Sequence, residues 1–181
     1  MKIWDNLYEV DSQLFRSINK YFDHPLLQRY FRIITHLGGA TFTIAGVVLL
    51  MLFTRQEVQM TAIAAAISLA VSHLPVAIMK KIYPRRRPYF VLENTNVLDN
   101  PLKDHSFPSG HTTAIFSVTV PFILLSPLLF SALLFIGVSV GLSRIFLGLH
   151  YPSDVLVGMM LGSTTGLCSF LAIQQFVPHV L

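Results

Sequence analysis

The chain of 181 residues is the size of one domain. Hydrophobic residues make up 53% of it and charged residues 12%, whereas a soluble domain carries about 25% charged residues. This composition excludes a water-soluble globule and predicts an all-α, polytopic transmembrane helical bundle. The single cysteine, Cys168, excludes an internal disulfide.

The net charge is +4, and the run Arg85-Arg86-Arg87 follows Lys80 and Lys81. A basic run between two membrane spans is typical of a headgroup anchor or an anion site, and we interpret Arg85 as a headgroup contact. No compact basic domain surrounds the run, which argues against a nucleic-acid partner. Asp104, in the polar loop that follows, lies close to Pro108 and could tune a site there, but we favour a solvated position in the loop.

The first 24 residues carry too many charges for the core of a signal peptide. Apolar side chains recur there at helical spacing, with charged residues between them: Ile3, Leu7, Val10, Leu14, Phe15, Ile18 and Phe22. The pattern predicts an N-terminal amphipathic helix, either in the membrane interface or packed on the bundle. Residues 26–36 predict a second helix that is too short and too charged to cross. Residues 1–37 are therefore expected to form amphipathic interfacial helices.

Apolar runs predict five membrane spans, with six as the alternative, in a transmembrane domain of residues 38–181. The spans are expected near residues 38–54, 58–79, 109–125, 128–143 and 153–176. Gly158, Gly162 and Gly166 recur every four residues on the last span and predict close helix packing. Because the spans alternate in direction, the polar segments around residues 80–88, 108–111 and 143–154 are expected at one membrane face.

Charge is almost absent from the C-terminal part of the chain. From Ser106 onward only Arg144 and Asp154 carry a formal charge, and His150 lies between them. A charge in an apolar, membrane-like segment costs several kcal/mol unless it is paired or functional. We therefore interpret Arg144, His150 and Asp154 as parts of one site.

Asp154 follows His150 by one helical turn, after a helix start at Pro152. A carboxylate at that position can accept the Nδ1–H of His150 and leave Nε2 as a nucleophile. The alternatives are an interfacial histidine bonded to a carbonyl and an acidic residue that complements the helix dipole. Neither alternative explains why both residues stand in so uncharged a region.

Two further segments provide candidate anion-binding groups. Ser109 is a good N-cap, Gly110 allows close approach of a ligand, and His111 lies on the first turn of the third span. A helix N-terminus binds phosphate readily, although Pro-Ser-Gly-His alone is equally typical of an ordinary cap. Lys80 and Arg87 could neutralise the oxygens of a phosphate.

Together these residues form three sequence motifs: Lys80-x6-Arg87-Pro88, Pro108-Ser109-Gly110-His111 and Ser143-Arg144-x5-His150-x3-Asp154. In this order and spacing they resemble the signature motifs of the type 2 phosphatidic acid phosphatases, also called lipid phosphate phosphatases. The resemblance covers roughly residues 38–176 and every motif position matches.

The resemblance implies a two-step phosphoryl transfer that uses no metal and no cofactor. His150 is the expected nucleophile, Asp154 its orienting carboxylate, and His111 the general acid and later the base. The groups expected to bind the substrate phosphate are Lys80, Arg87, Ser109, Gly110 and Arg144. The spacing of the histidines also fits no compact zinc motif.

The expected substrate is a lipid phosphate, because the site opens at span ends where a headgroup lies. Phosphatidic acid, phosphatidylglycerol phosphate and undecaprenyl diphosphate all fit, and the oligomeric state is left open. The alternatives are a lipid phosphotransferase, a protein similar to the vanadium haloperoxidases and a non-catalytic lipid-binding membrane protein. The apolar spans argue against the second, and the complete motifs argue against the third.

The orientation in the cell membrane is predicted differently by two criteria. The distribution of Lys and Arg places the site in the cytoplasm, whereas the family resemblance implies the extracytoplasmic face. We favour the extracytoplasmic face, because cations that bind phosphate are poor markers of orientation.

Overall fold

The computed structural model describes residues 2–99 and 101–175. They form eight α-helices: α1 (Lys2–Asn19), α2 (Pro25–Ile34), α3 (Ala40–Phe53), α4 (Gln56–Ile82), α5 (Pro88–Val91), α6 (Gly110–Leu125), α7 (Phe130–Phe146) and α8 (Pro152–Gln174). Short 3-10 turns, Thr35–Gly38 and Pro127–Leu129, lead into α3 and α7. No strand occurs in this part of the chain, and the predicted all-α class is confirmed for it.

Three segments are long and apolar enough to cross a membrane: α4, Pro127–Phe146 and α8. The segments Pro25–Gly38 and Ala40–Phe53 qualify only as a pair, which is bent by 54°. Helix α6 is apolar but has 16 residues. The chain is therefore a membrane protein with three or four candidate spans. The predicted spans that do not qualify by themselves are the short helices α3 and α6. The last predicted span ends at residue 176, outside the described residues.

Helices α4, α6 and α8 pack against one another most extensively and form the centre of the bundle. The glycines of α8 allow this approach to α6. A Cβ at Gly158 would stand 2.7 Å from the carbonyl oxygen of Ser109, and one at Gly162 would stand 2.4 Å from that of Thr113. The close packing predicted for this glycine face is confirmed, and it holds the first turns of α6 and α8 together.

The N-terminal helix α1 presents two different faces. The side chains that it buries against the bundle are Asp11, Ser12, Phe15 and Asn19. The apolar side chains that it leaves exposed are Leu7, Val10 and Leu14. Helix α1 packs on α7 and α8, so one of the two placements predicted for it is confirmed. Exposed apolar side chains are also typical of a helix at a membrane surface, and that placement stays a prediction.

Several segments meet at one end of the bundle, where α4 and α7 end and where α6 and α8 begin. Backbone hydrogen bonds connect them. The N–H of Ser109 donates to the carbonyl oxygen of Asp154 at 3.0 Å, and the N–H of Ser106 donates to that of Arg85 at 2.9 Å. This end of the bundle carries all three sequence motifs.

Candidate active site

His150 lies in the tight loop between α7 and α8, and only 2% of it is exposed. Its backbone N–H donates to the carbonyl oxygen of Arg144 at 3.1 Å. The loop turns at Gly148, whose φ of 78° is accessible to glycine at little cost. As a result the imidazole lies beside Arg87, with 3.1 Å between Nε2 of the ring and Nη1 of the guanidinium.

The contact with Arg87 indicates where the imidazole of His150 carries its proton. Guanidinium nitrogens only donate hydrogen bonds, so Nε2 has the lone pair and the neutral ring is protonated on Nδ1. That nitrogen lies 3.5 Å from Oδ2 of Asp154, which is longer than an ordinary hydrogen bond. Among the described residues Nδ1 has no hydrogen-bond partner. The lone pair, the electron pair with which a nucleophile attacks, is therefore on the side of the ring away from Asp154.

Asp154 is completely buried on the first turn of α8. Its Oδ2 accepts the backbone N–H of Tyr151 at 2.9 Å, and its Oδ1 accepts Nη1–H of Arg85 at 2.8 Å. A buried carboxylate is tolerated only with such partners. The two contacts fix the orientation of the carboxylate toward His150.

Arg87 is completely buried at the start of the short helix α5. Its Nη1 also donates to the carbonyl oxygen of Leu149 at 2.8 Å, and its Nη2 donates to Oδ1 of Asp104 at 2.6 Å. Lys80, in the last turn of α4, pairs with the other carboxylate oxygen of Asp104. One carboxylate thus contacts both cations of the first motif.

Arg144 is in the last turn of α7, and only 3% of it is exposed. Its Nη1 donates to the hydroxyl of Thr35 at 2.8 Å. Its Nε is buried and has no hydrogen-bond partner within the described part of the chain. Because an unpaired buried donor costs about 1–3 kcal/mol, this N–H is a candidate donor to a bound anion.

The N-terminus of α6 carries the Pro-Ser-Gly-His motif. The hydroxyl oxygen of Ser109 accepts the N–H of Thr112 at 3.4 Å, which confirms the predicted N-cap. A Cβ at Gly110 would meet no atom of the described residues within 4 Å, so the helix end is accessible there. His111, half-buried on the first turn, packs against Gly39: its Nε2 would stand 3.9 Å from a Cβ at that glycine.

The pKa values of His150 and Asp104, which lie outside the membrane-spanning segments, are strongly shifted. Burial lowers the pKa of His150 from 6.5 to about 4. The carboxylate of Asp154 favours the protonated ring and opposes this shift, whereas the positive charge of Arg87 lowers the pKa further. Burial alone would raise the pKa of Asp104, but hydrogen bonds from Lys80 and Arg87 lower it from 3.8 to about 2. At neutral pH the ring of His150 is therefore uncharged and the carboxylate of Asp104 is ionised.

The structure places all the predicted site residues at the same end of the bundle: Lys80, Arg87, Ser109, Gly110, His111, Arg144, His150 and Asp154. His111 belongs to the same end because it lies on the first turn of α6, next to Ser109 and Gly110. Their roles in a reaction stay predictions.

Sequence reasoning missed three residues that contact this cluster. Arg85 binds Asp154 rather than a headgroup, and Asp104 binds two site cations although it stands in a polar loop. Asp11 binds Arg85 and Ser153, although it is 142 residues from Ser153 in the chain. The available signal for Asp104 was an acidic residue in the loop that connects the basic segment of residues 80–87 to the Pro-Ser-Gly-His motif. No local pattern indicates Asp11.

Known proteins show similarity over most of the chain. It is 30% identical over 163 residues to the undecaprenyl-diphosphatase of Sulfolobus acidocaldarius. The aligned region covers 90% of this chain and 76% of that protein. It is 33% identical over 129 residues to the bacitracin transport permease protein BcrC of Bacillus licheniformis, and this aligned region covers 71% of the chain. The chain spans 64% of that relative's length, less than two thirds.

Among solved structures, the fold is similar to that of LpxE from Aquifex aeolicus. The TM-score is 0.77 at 29% sequence identity, and the match covers 87% of this chain and 92% of the other. Residues 61–178 match the sequence profile of the PAP2 superfamily. This match includes all three motifs, and the chain belongs to the PAP2 superfamily.

Proposed function

We propose that this chain is an integral-membrane phosphatase that hydrolyses the phosphate ester or diphosphate of a lipid through a phosphohistidine. The observation that carries the proposal is the environment of His150. Its ring is neutral, its Nε2 lone pair is directed toward Arg87, and the buried carboxylate of Asp154 lies on its other side. A histidine nucleophile that works at neutral pH needs this arrangement. Membership of the PAP2 superfamily supports the same reaction class.

In the first step, Nε2 of His150 attacks phosphorus, and the bond between phosphorus and the leaving oxygen breaks. The leaving group is a lipid alcohol or, for a diphosphate, a lipid phosphate. Its oxygen takes a proton from His111, whose protonated form is favoured by the negative charge of the bound phosphate. The phosphorylated ring keeps its Nδ1 proton, and the carboxylate of Asp154 stabilises the resulting positive charge.

In the second step, a water molecule attacks phosphorus and the bond between phosphorus and Nε2 breaks. His111 accepts the proton of the water, which restores its initial state, and His150 recovers its lone pair. Inorganic phosphate is the product.

The phosphate oxygens would be bound by Arg87, which contacts Nε2 of His150, and by Lys80 and Arg144 at the same end of the bundle. Arg144 supports this role because its buried Nε has no partner among the described residues. Lys80 and Arg87 support it because they already bind one anion, the carboxylate of Asp104. The two proposed neutral donors stand at the N-terminus of α6: the hydroxyl of Ser109 and the N–H of Gly110.

An apolar groove between α3 and α4 supports a lipid as the substrate. Its volume is about 330 Å³, and it is lined from Ala40 to Val48 on α3 and from Ala66 to His73 on α4. The groove begins beside Gly39, against which His111 packs. A hydrocarbon chain in the groove would leave its phosphate near the histidines. The candidates are phosphatidic acid, phosphatidylglycerol phosphate and undecaprenyl diphosphate, the last favoured by the relative named for that activity.

We further propose that the chain crosses the cell membrane five times, with α3 and α6 as short spans. Residues 1–37 then form the interfacial region, residues 38–181 form the transmembrane domain, and the site faces the extracytoplasmic side. In a Cys168→Ser background, the exposed loop variant Asp99→Cys is expected to react with an impermeant maleimide in intact cells. Labelling only after lysis would place the site on the cytoplasmic face.

Phosphate release from purified protein in detergent tests the proposed activity. Wild type is expected to release phosphate from at least one lipid of a panel of lipid phosphates and diphosphates, and to do so in EDTA. In the described part of the chain no group of three or more His, Cys, Asp or Glu could hold a metal ion. His150→Ala is expected to abolish release. His24→Ala, which changes an exposed histidine between α1 and α2, is the matched control.

Three results would contradict the proposal: activity in His150→Ala, loss of activity in EDTA, or no release from any lipid of the panel. Transfer of the phosphoryl group to an added lipid alcohol, in place of phosphate release, would indicate a phosphotransferase.

A further inference from the structure

The guanidinium of Arg85 joins two carboxylates that lie far apart in the sequence. Its Nη2 donates to Oδ2 of Asp11 at 2.7 Å, and its Nη1 donates to Oδ1 of Asp154 at 2.8 Å. The guanidinium also lies over the ring of Tyr151, with 3.8 Å between its carbon and the ring centroid. Arg85 stands at one of the unspecified positions of the first motif, and among the described residues none of its contacts is with the ring of His150.

Arg85 is the partner that Asp154 has on its Oδ1 side. The other oxygen, Oδ2, faces Nδ1 of His150 and accepts the N–H of Tyr151. Without Arg85, a completely buried carboxylate would lose a charged hydrogen bond, which costs several kcal/mol when nothing replaces it. The carboxylate would then rotate or shift toward another donor, and the line from Asp154 through Nδ1 to Nε2 would be lost.

Asp11 holds Arg85 in place from the N-terminal helix. Only 7% of Asp11 is exposed. Its Oδ1 accepts the backbone N–H of Ser153 at 2.9 Å, and its Oδ2 accepts the hydroxyl of the same serine at 2.5 Å. Asp11 therefore ties α1 to the residue that precedes Asp154. Burial alone would lower the pKa of Arg85, but the two carboxylates raise it above its ordinary value.

We propose that Arg85 and Asp11 are positioning residues for the proposed nucleophile. Arg85 sets the orientation of Asp154 and, through it, of His150, while Asp11 makes this orientation depend on the docking of α1. The inference rests on the proposed phosphatase function. It assigns a role in activity to the N-terminal helix, which lies outside the region of the family match, residues 61–178.

The first test separates positioning from phosphate binding. Arg85→Gln is expected to lower kcat by about 10- to 100-fold, the range found for residues that orient metal-binding side chains, with KM little changed. Arg86→Gln, at the exposed neighbouring arginine, is the matched control and is expected to behave as wild type. A raised KM with unchanged kcat would show that Arg85 binds substrate and would overturn the proposal.

The second test is a double-mutant cycle with Asp154→Asn. If Arg85 acts only through Asp154, Arg85→Gln causes no further loss of kcat in the Asp154→Asn background. An equal loss in both backgrounds would overturn the proposal. If Arg85→Gln does not fold, Arg85→Lys replaces it, because lysine keeps the charge but cannot span both carboxylates with a planar fork. If Arg85→Lys then had the same kcat as wild type, the proposal would be contradicted.

The third test concerns α1. Asp11→Asn keeps the shape of the side chain and is expected to lower kcat several-fold, and Asp11→Glu is expected to restore part of the loss. Glu9→Gln, at an exposed carboxylate of the same helix, is the matched control. Unchanged kcat in Asp11→Asn would overturn the role of Asp11.

Failure of the proposed function and failure of this inference give different results. If wild type released no phosphate from any lipid phosphate, the proposed function would fail and this inference with it. Active wild type with unaffected variants would refute the inference alone.

Discussion

Nη1 of Arg87 lies 3.1 Å from Nε2 of His150, the atom that we propose as the nucleophile. Because a guanidinium cannot accept a hydrogen bond, this contact keeps the lone pair on Nε2 and the proton on Nδ1. It also means that a substrate phosphate must take the place of Nε2 as the partner of Nη1 before attack. Arg87 therefore has two successive partners in the proposed reaction, first the nucleophile and then the phosphate.

Replacement of Arg87 by lysine should remove both functions while the positive charge is kept. Lysine offers no planar fork, so it cannot contact Asp104, the carbonyl of Leu149 and the substrate together. We expect Arg87→Lys to lower kcat/KM by about 100-fold or more, since loss of one preorganised donor typically costs 10²–10³. Steady-state phosphate release measures kcat/KM of this variant, with Arg86→Lys as the control. Activity within a few-fold of wild type would contradict the role of the fork.

Asp104 places a carboxylate on the two cations that would bind the substrate phosphate. The substrate must displace this carboxylate, so part of its binding free energy is lost in the exchange. We expect Asp104→Asn to lower both KM and the inhibition constant for inorganic phosphate by about 3- to 10-fold, or about 1 kcal/mol. Asp99→Asn, an exposed acid in the same loop, should change neither. A raised KM would instead show that Asp104 holds Lys80 and Arg87 in their binding positions.

The lowered pKa of His150 predicts a direction for its pH dependence. With a pKa of about 4 in the folded chain and about 6.5 in the unfolded chain, the ring stays neutral in the folded protein down to about pH 4. Between these values the unfolded chain binds more protons, so stability decreases as pH falls from 6.5 toward 4. NMR titration of protein labelled with ¹⁵N-histidine measures the pKa of this imidazole directly, and the signal is assigned by its loss in His150→Gln. A midpoint near 6.5 would contradict the burial of this imidazole.

The apolar groove predicts a dependence on the length of the lipid chain. Ala70 lines the groove and is exposed there, so Ala70→Phe fills the groove without disturbing the core of the bundle. We expect this variant to lose about 10-fold or more in kcat/KM for a long-chain lipid phosphate, as about 0.8 kcal/mol is lost for each buried CH₂ displaced. Its activity on a short-chain analogue should be unchanged. Ala172→Phe, at an exposed alanine of α8, is the matched control, and equal losses on both substrates would rule out the groove as a chain site.

Which motif residues lie at one end of the bundle was easier to predict from the sequence than how many helices span the membrane, for physical reasons. His150 and Asp154 are one helical turn apart, so their juxtaposition follows from local geometry once a helix begins at Pro152. The predicted first span, residues 38–54, is longer than α3 because hydropathy does not locate where the helix begins after the 3-10 turn Thr35–Gly38, and it gives no angle for the 54° bend there. Asp11 was missed because its contacts are tertiary and its helix shows only an amphipathic pattern.

The packing of α6 against α8 predicts that the site is sensitive to a substitution far from any charge. A Cβ at Gly162 would stand 2.4 Å from the carbonyl oxygen of Thr113, a backbone atom that cannot rotate away. Gly162→Ala should therefore force the two helices apart and lower stability by about 1–3 kcal/mol. Gly46→Ala, in α3, is the matched control, because no described atom lies within 4 Å of its Cβ and alanine favours a helix.

Thermal unfolding in detergent measures the stability change, and phosphate release measures its consequence for the site. The N–H of Ser109 and the carbonyl oxygen of Asp154 join the first turns of the same two helices at 3.0 Å. Separation of the helices at Gly162 would strain that bond and move Asp154 relative to the Pro-Ser-Gly-His segment. We therefore expect Gly162→Ala to lower kcat even at temperatures where the protein stays folded. Wild-type stability in Gly162→Ala would show that α6 and α8 are farther apart than this structure has them.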